Sequence, residues 1–94
     1  MLGYLITNTS GWEIREHEFD EALGKVFPGY KVGDRRDLRN VVMKVYGINE
    51  GDQVIGRVDV SYKECETAVL ITGKKADDLA QKLVQETGFQ WKDN

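Results

Sequence analysis

Ninety-four residues hold one domain (1–94) with one core, and a chain of that length folds alone with a small margin. A hydrophobic fraction of 40% and a charged fraction of 31% argue against disorder, and a net charge of −3 gives no support for general coating of DNA. A single cysteine, Cys65, excludes an intrachain disulfide and a multi-thiol metal site.

The chain starts with apolar Met1 to Ile6 and turns polar at Thr7. That start lacks the basic segment and longer apolar run of a signal peptide, and a membrane span needs about 20 apolar residues. The expectation is a cytoplasmic protein with no membrane contact. Leu2 to Thr7 reads as a strand, with Leu2, Tyr4 and Ile6 alternating against Leu5, and Asn8 to Gly11 breaks it. Ser10 with Glu13 has the spacing of a capping box. Phe19, Ala22, Leu23, Val26 and Phe27 form the apolar stripe of a first helix, stopped by Pro28-Gly29. Trp12, Ile14, Glu16 and Glu18 also fit one side of an extended segment, which leaves the helix start open.

Tyr30 to Gly33 reads as loop. Asp34 then caps a predicted second helix with Leu38, Val41, Val42 and Val45 inward, ended by Gly47 with Ile48 folded back. The β-branched valines support a competing strand from Asn40 to Tyr46. A turn at Asn49 to Asp52 precedes a strand from Gln53 to Tyr62, a hairpin turn at Lys63 to Glu66, and a strand from Thr67 to Thr72. Ala68 to Ile71 is apolar on both faces, as in a central strand. Gly56 marks a bulge, a twist or a close approach. The last helix buries Leu79, Ala80, Leu83 and Val84, with Ala76 and Thr87 extending the stripe. Gly88 ends it and Phe89 packs back toward Val84. Phe89 and Trp91 alternate as a short edge strand would.

The resulting order, β-α-α-β-β-α with a terminal β, is an α+β domain in which helices cover one face of a small antiparallel sheet. A ferredoxin-like or related sandwich accommodates it, with the second helix as the misfit.

From Lys31 to Lys44 there are five positive and two negative residues, so this segment carries +3 and the rest of the chain −6. On a helix, Arg35 and Arg39 lie four apart beside Arg36, a compact arrangement for anions. Glu13, His17 and Glu21 also fall at spacings of four, the pattern of an acid–base group on a helix face. Cys65 stands between Glu64 and Glu66, which disfavour its thiolate. Thr72-Gly73-Lys74-Lys75 joins a strand to a helix but lacks the glycines of a phosphate loop. Trp12, Tyr30, Tyr46 and Trp91 sit near element ends, where aromatics complete cores or anchor interfaces.

These features favour a non-enzymatic protein-interaction module, an inhibitor, adaptor or regulatory subunit. Its expected partner-binding residues are Arg35, Arg36, Arg39, Lys44, Trp12 and Tyr30, with opposite-sign patches steering encounter. The expected partner is a protein, and association with a second copy suits so small a chain. A nucleic-acid-binding module using Arg35 to Lys44 is the first alternative, and a small acid–base enzyme using His17 is the second. No catalytic set, cofactor or metal site is expected.

Overall fold

Three successive two-residue turns shape most of the molecule. The computed structural model describes residues 2–92. Its elements are β1 (Leu2–Thr7), α1 (Glu16–Val26), β2 (Lys31–Leu38), β3 (Val41–Glu50), β4 (Gln53–Lys63), β5 (Glu66–Thr72), α2 (Ala76–Thr87) and β6 (Gln90–Lys92). Turns at 39–40, 51–52 and 64–65 fold β2 to β5 into a meander, and β1 and β6 continue the sheet in the order β2-β3-β4-β5-β1-β6. Gly51 at φ +63° serves its turn without strain, whereas Cys65 holds a similar φ of 63° at the cost of a side chain there.

Every neighbouring pair is antiparallel, so β1 runs parallel to β4 with β5 between them, and β5 runs parallel to β6 across β1. The chain is therefore an α+β fold in which six described strands form one sheet and two described helices share a core with one of its faces. Phe19, Leu23 and Val26 of α1 and Leu79, Ala80 and Leu83 of α2 supply the helix side of that core. Tyr46, Ile48, Val58, Val60, Val69 and Ile71, alternating along three strands, supply the sheet side. Phe19 stacks on Phe89 at 6.2 Å and tilts against Tyr46 at 5.4 Å, which ties the C-terminal segment to α1.

Two bulges adjust the sheet. Ile55 is extra between Ile48↔Gly56 and Asn49↔Val54, and the following Gly56 lies under Leu79, where a Cβ would approach Cδ1 closer than any real contact allows. The close-approach reading of Gly56 therefore holds, with an aliphatic side chain as the neighbour. In β2 the register shifts between Val32 and Arg35. That extra residue reverses the alternation, turning Arg35 to the helix side and Arg36 to the opposite side.

The expected second helix is absent: Asp34 lies within β2, and Gly47 and Ile48 lie within β3. The competing strand at Asn40 to Tyr46 was the better description, and Tyr30 to Gly33 is loop only in part, because β2 starts at Lys31. The expected capping box is replaced by an Asx turn. Asn8 Oδ1 accepts the Ser10 and Trp12 N–H groups at 2.9 and 3.0 Å, and α1 starts only at Glu16, with no side-chain cap at Arg15. Residues 12–15 run as irregular chain, in which the Ile14 N–H donates to Thr67 Oγ1 (2.9 Å) and the Thr67 hydroxyl donates back to the Ile14 carbonyl (2.7 Å). The last helix ends at Gly88 with φ +78° and its N–H on the Val84 carbonyl, as the sequence indicates. The first strand is present, with Ile6 and Leu5 differing in burial as expected; the side chains of Leu2 and Tyr4 lie outside the described part.

Candidate functional site

The positive residues of the Lys31–Lys44 segment do not form one patch. Lys44 lies in β3 on the helix side, and its side chain is only 7% exposed. Its ammonium donates to Glu16 Oε2 at 2.9 Å and to both Asp20 oxygens at 3.1 and 2.9 Å. The bulge in β2 delivers Arg35 to the same place, where it donates to both Glu16 oxygens at 2.8 and 2.9 Å. Tyr46 donates to Asp20 Oδ1 at 2.5 Å, which leaves Tyr62 to donate to the Tyr46 hydroxyl at 2.6 Å.

Two carboxylates from α1 thus face two cations from β2 and β3. The hydrogen bond from Arg35 holds the Glu16 carboxyl down to about 2, burial opposing and Lys44 assisting. Burial alone would depress Lys44, but its bonds to Asp20 and Glu16 outweigh this and raise it. Arg35 is raised by its bond to Glu16. Burial first, then the bond to Asp20, pushes the Tyr46 phenol far up, and burial raises Tyr62 as well. All these groups keep their neutral-pH forms, and the arrangement is a clamp between α1 and the β2–β3 hairpin.

The six expected partner-binding residues separate accordingly. Arg35 and Lys44 are held by α1. Arg36 is on the opposite side of the sheet, paired with Asp34 at 3.1 Å, and Arg39 is exposed in the β2–β3 turn. Trp12 is 68% exposed on the loop before α1, whereas Tyr30 is half-buried with its ring 5.9 Å from that of Tyr46. Glu13 precedes α1, so Glu13, His17 and Glu21 do not share a helix face, and His17 is exposed. Among the described residues no three His, Cys, Asp or Glu side chains converge as a metal would require. At the strand–helix junction, Lys75 reaches Glu50 of β3 at 3.7 Å, so an acidic side chain of this protein meets that lysine.

The surface that remains is the sheet face without helices. Strand register places Leu5, Ala68, Ser61, Met43 and Arg36 in one cross-strand row, and Gly3, Leu70, Asp59 and Val45 in the next. These rows border an open hollow of about 810 Å³. The small residues Gly3, Ser61 and Ala68 give it depth, Leu5, Leu70 and Val45 give it apolar walls, and Met43 stands 47% exposed at its side. Arg57 and Asp59 on this face form an ion pair at 2.9 Å, so charge interrupts the apolar surface.

Apart from Arg36, these positions were not among the expected site residues. A usable signal was present in Ala68 to Ile71, whose apolar character on both faces implies a second apolar surface once helices cover the first. The chain matches no protein-family model, no curated protein and no solved structure. No helix among the described residues is long and apolar enough to cross a membrane.

Proposed function

We propose that the protein is a small non-enzymatic interaction module, an inhibitor, adaptor or regulatory subunit, that binds a protein partner through the helix-free face of its sheet. The observation that carries this is the 810 Å³ hollow walled by Leu5, Leu70 and Val45 on a face that neither helix covers. A concave surface with an apolar centre and charged residues among it has the anatomy of a recognition patch. Arg36 belongs to this face, so part of the expected charged set keeps its role, and Trp12 offers an aromatic anchor elsewhere on the surface.

The fold is read in the same way as an elaborated ferredoxin-like domain. Taking β1, α1, β4, β5, α2 and β6 as its core gives the β-α-β-β-α-β chain order, with strands arranged β6-β1-β5-β4 and two split β-α-β units. The β2–β3 hairpin is then an insertion after α1 that widens the sheet. A wider sheet leaves more face uncovered, which links the insertion to binding.

The nucleic-acid alternative has less support, because Arg35 and Lys44 are occupied by Glu16 and Asp20. The test uses the tagged chain as bait beside a Met43→Glu variant whose folding is verified by circular dichroism. A protein recovered by the wild type and reduced at least about tenfold with the variant is expected, since a desolvated carboxylate inside an apolar contact is strongly unfavourable. Equal recovery by both baits removes the open face from this role.

A further inference from the structure

We infer that the outer edge of β3 is a peptide-binding edge, and that β2 occupies it as a resident strand which an extended segment of matching chemistry replaces. The partner is a chain segment running antiparallel to β3, with arginine facing Lys44 and an apolar residue facing Tyr46. This surface is separate from the helix-free face, so it stands whether or not that face binds. Three observations carry the inference: how little β2 buries, how firmly β3 is fixed, and the one specific contact that β2 makes.

All eight residues of β2 are exposed, with Val32 at 50% and Leu38 at 49%. The strand adds no side chain to the core, so its hold on the molecule is a backbone ladder and its side-chain pairs. That ladder is itself interrupted, since the register shifts between Val32 and Arg35. β3 is fixed independently. Lys44, Tyr46 and Ile48 are 6%, 0% and 0% exposed, and ten residue pairs join β3 to β4. Lifting β2 away leaves β3 in the sheet with unpaired N–H and C=O groups along one side, the template that strand addition uses.

The chain is long enough for this. Tyr30 packs its ring against Tyr46, and Val41 is paired with Lys63 of β4, so both flanks of β2 are anchored. The eleven residue steps between them reach about 36 Å at about 3.3 Å each, whereas β3 from Val41 to Gly47 spans about 20 Å. β2 can bow outward by more than the roughly 4.8 Å between strands while both anchors stay in place.

Arg35 supplies the specific contact. Glu16 accepts two hydrogen bonds from it at 2.8 and 2.9 Å. Glu16 lies on α1, so the acceptor for an arginine remains when β2 leaves. In β2, Val32 faces Tyr46 and Arg35 faces Lys44, three residues apart against two on β3. A segment with its apolar residue and arginine two apart makes both contacts in an uninterrupted ladder, an advantage over the resident strand. The outer edge of β2 is the poorer template, because Lys31, Asp34, Arg35, Arg36 and Asp37 crowd it with charge and the bulge distorts it.

The probe is a fluorescein-labelled peptide with the sequence of residues 31–38 without Gly33, titrated with the intact chain and read by anisotropy. The resident strand competes as an intramolecular ligand at an effective concentration in the millimolar range. Arg35→Ala in the chain loosens that competitor and keeps Glu16, so it should lower the apparent dissociation constant about tenfold. Replacing the peptide's arginine that corresponds to Arg35 by alanine should raise the constant for the Arg35→Ala chain about tenfold. Hydrogen exchange read by mass spectrometry should show residues 31–38 exchanging faster with peptide bound and residues 53–72 unchanged. Circular dichroism verifies that the variant is folded.

No binding to the Arg35→Ala chain at peptide concentrations up to about 1 mM overturns the peptide-binding edge. Equal binding to both chains, or binding that leaves the exchange of β2 unchanged, overturns replacement of the resident strand. A peptide indifferent to loss of its arginine overturns the role given to Glu16. The wild-type chain alone supplies a test that needs no variant: β2 amides should exchange through local opening, at rates insensitive to low urea. Exchange of β2 only together with global unfolding of β4 and β5 overturns a detachable strand.

Discussion

Glu16 shows how a single residue near the start of a helix governs packing on the sheet below it. It accepts two hydrogen bonds from Arg35 and one from Lys44, and its carboxyl is held down to about 2. An ordinary glutamate titrates near 4.3, so the native state favours the charged form over the unfolded state. The stability this contributes is complete above that ordinary value and is lost as pH falls through about 2. Glu16→Gln should therefore lower stability at pH 7 by about 1–2 kcal/mol, limited by the partial exposure of both Glu16 and Arg35. Urea unfolding of both proteins should show the difference shrinking as the pH drops from about 5 to about 2. A difference that persists unchanged at the acid end would remove Glu16 from this linkage. Tyr46 behaves oppositely, since burial and its bond to Asp20 keep the phenol protonated well past its usual range.

At the scale of elements, α2 is seated by the absence of a side chain on β4. Gly56 leaves the space that Leu79 occupies, and a Cβ there would also come within 3.3 Å of the Thr72 carbonyl. Gly56→Ala should cost about 1–3 kcal/mol, because Leu79 is buried and has little room to change rotamer. Leu79→Ala should cost about 2–5 kcal/mol by opening a cavity. The double variant should be more stable than the sum of the two losses by at least about 0.5 kcal/mol, since the methyl group added at 56 enters the space vacated at 79. Strictly additive melting shifts would refute the contact.

Gly56 was visible in the sequence as an odd position, and β4, β5, α2 and the Gly88 stop were legible because their signals are local. The β2–β3 hairpin was not. Leu38, Val41, Val42 and Val45 match helical spacing, and the period-two run Val42, Lys44, Tyr46, Ile48 is broken by a lysine. That lysine is buried because Glu16 and Asp20 lie on a different element, which no local pattern encodes. The bulge after Val32 further hides the alternation of β2. The open face is legible only in part: Arg57 and Asp59 alternate with Val58 and so mark the face opposite it, but uncovered apolar residues resemble core residues until the positions of both helices are known.

For the whole molecule, the sheet combines interior strands with a hairpin that is held from above. β4, β5 and β1 have hydrogen-bonded neighbours on both sides, while β2 and the three-residue β6 form the described edges. Every residue of β2 is exposed, so its attachment depends on pairing with β3 and on Arg35 and Lys44 reaching α1. Native-state hydrogen exchange should accordingly find the slowest amides in β4, β5 and β1, and the fastest strand amides in β2 and β6. Asp20→Ala tests whether the clamp is what couples the hairpin to the rest. The substitution leaves Lys44 with Glu16 as its one remaining carboxylate partner and removes the acceptor for the Tyr46 hydroxyl. Uncovering a buried cation in this way costs about 3 kcal/mol. If the clamp acts locally, protection falls first in β2 and the first turn of α1, while β5 and β1 retain a higher opening free energy. A fall of equal size in every strand would instead mean that the hairpin and the rest of the sheet open as one cooperative unit, with the charged network distributed in its effect rather than fastening one edge.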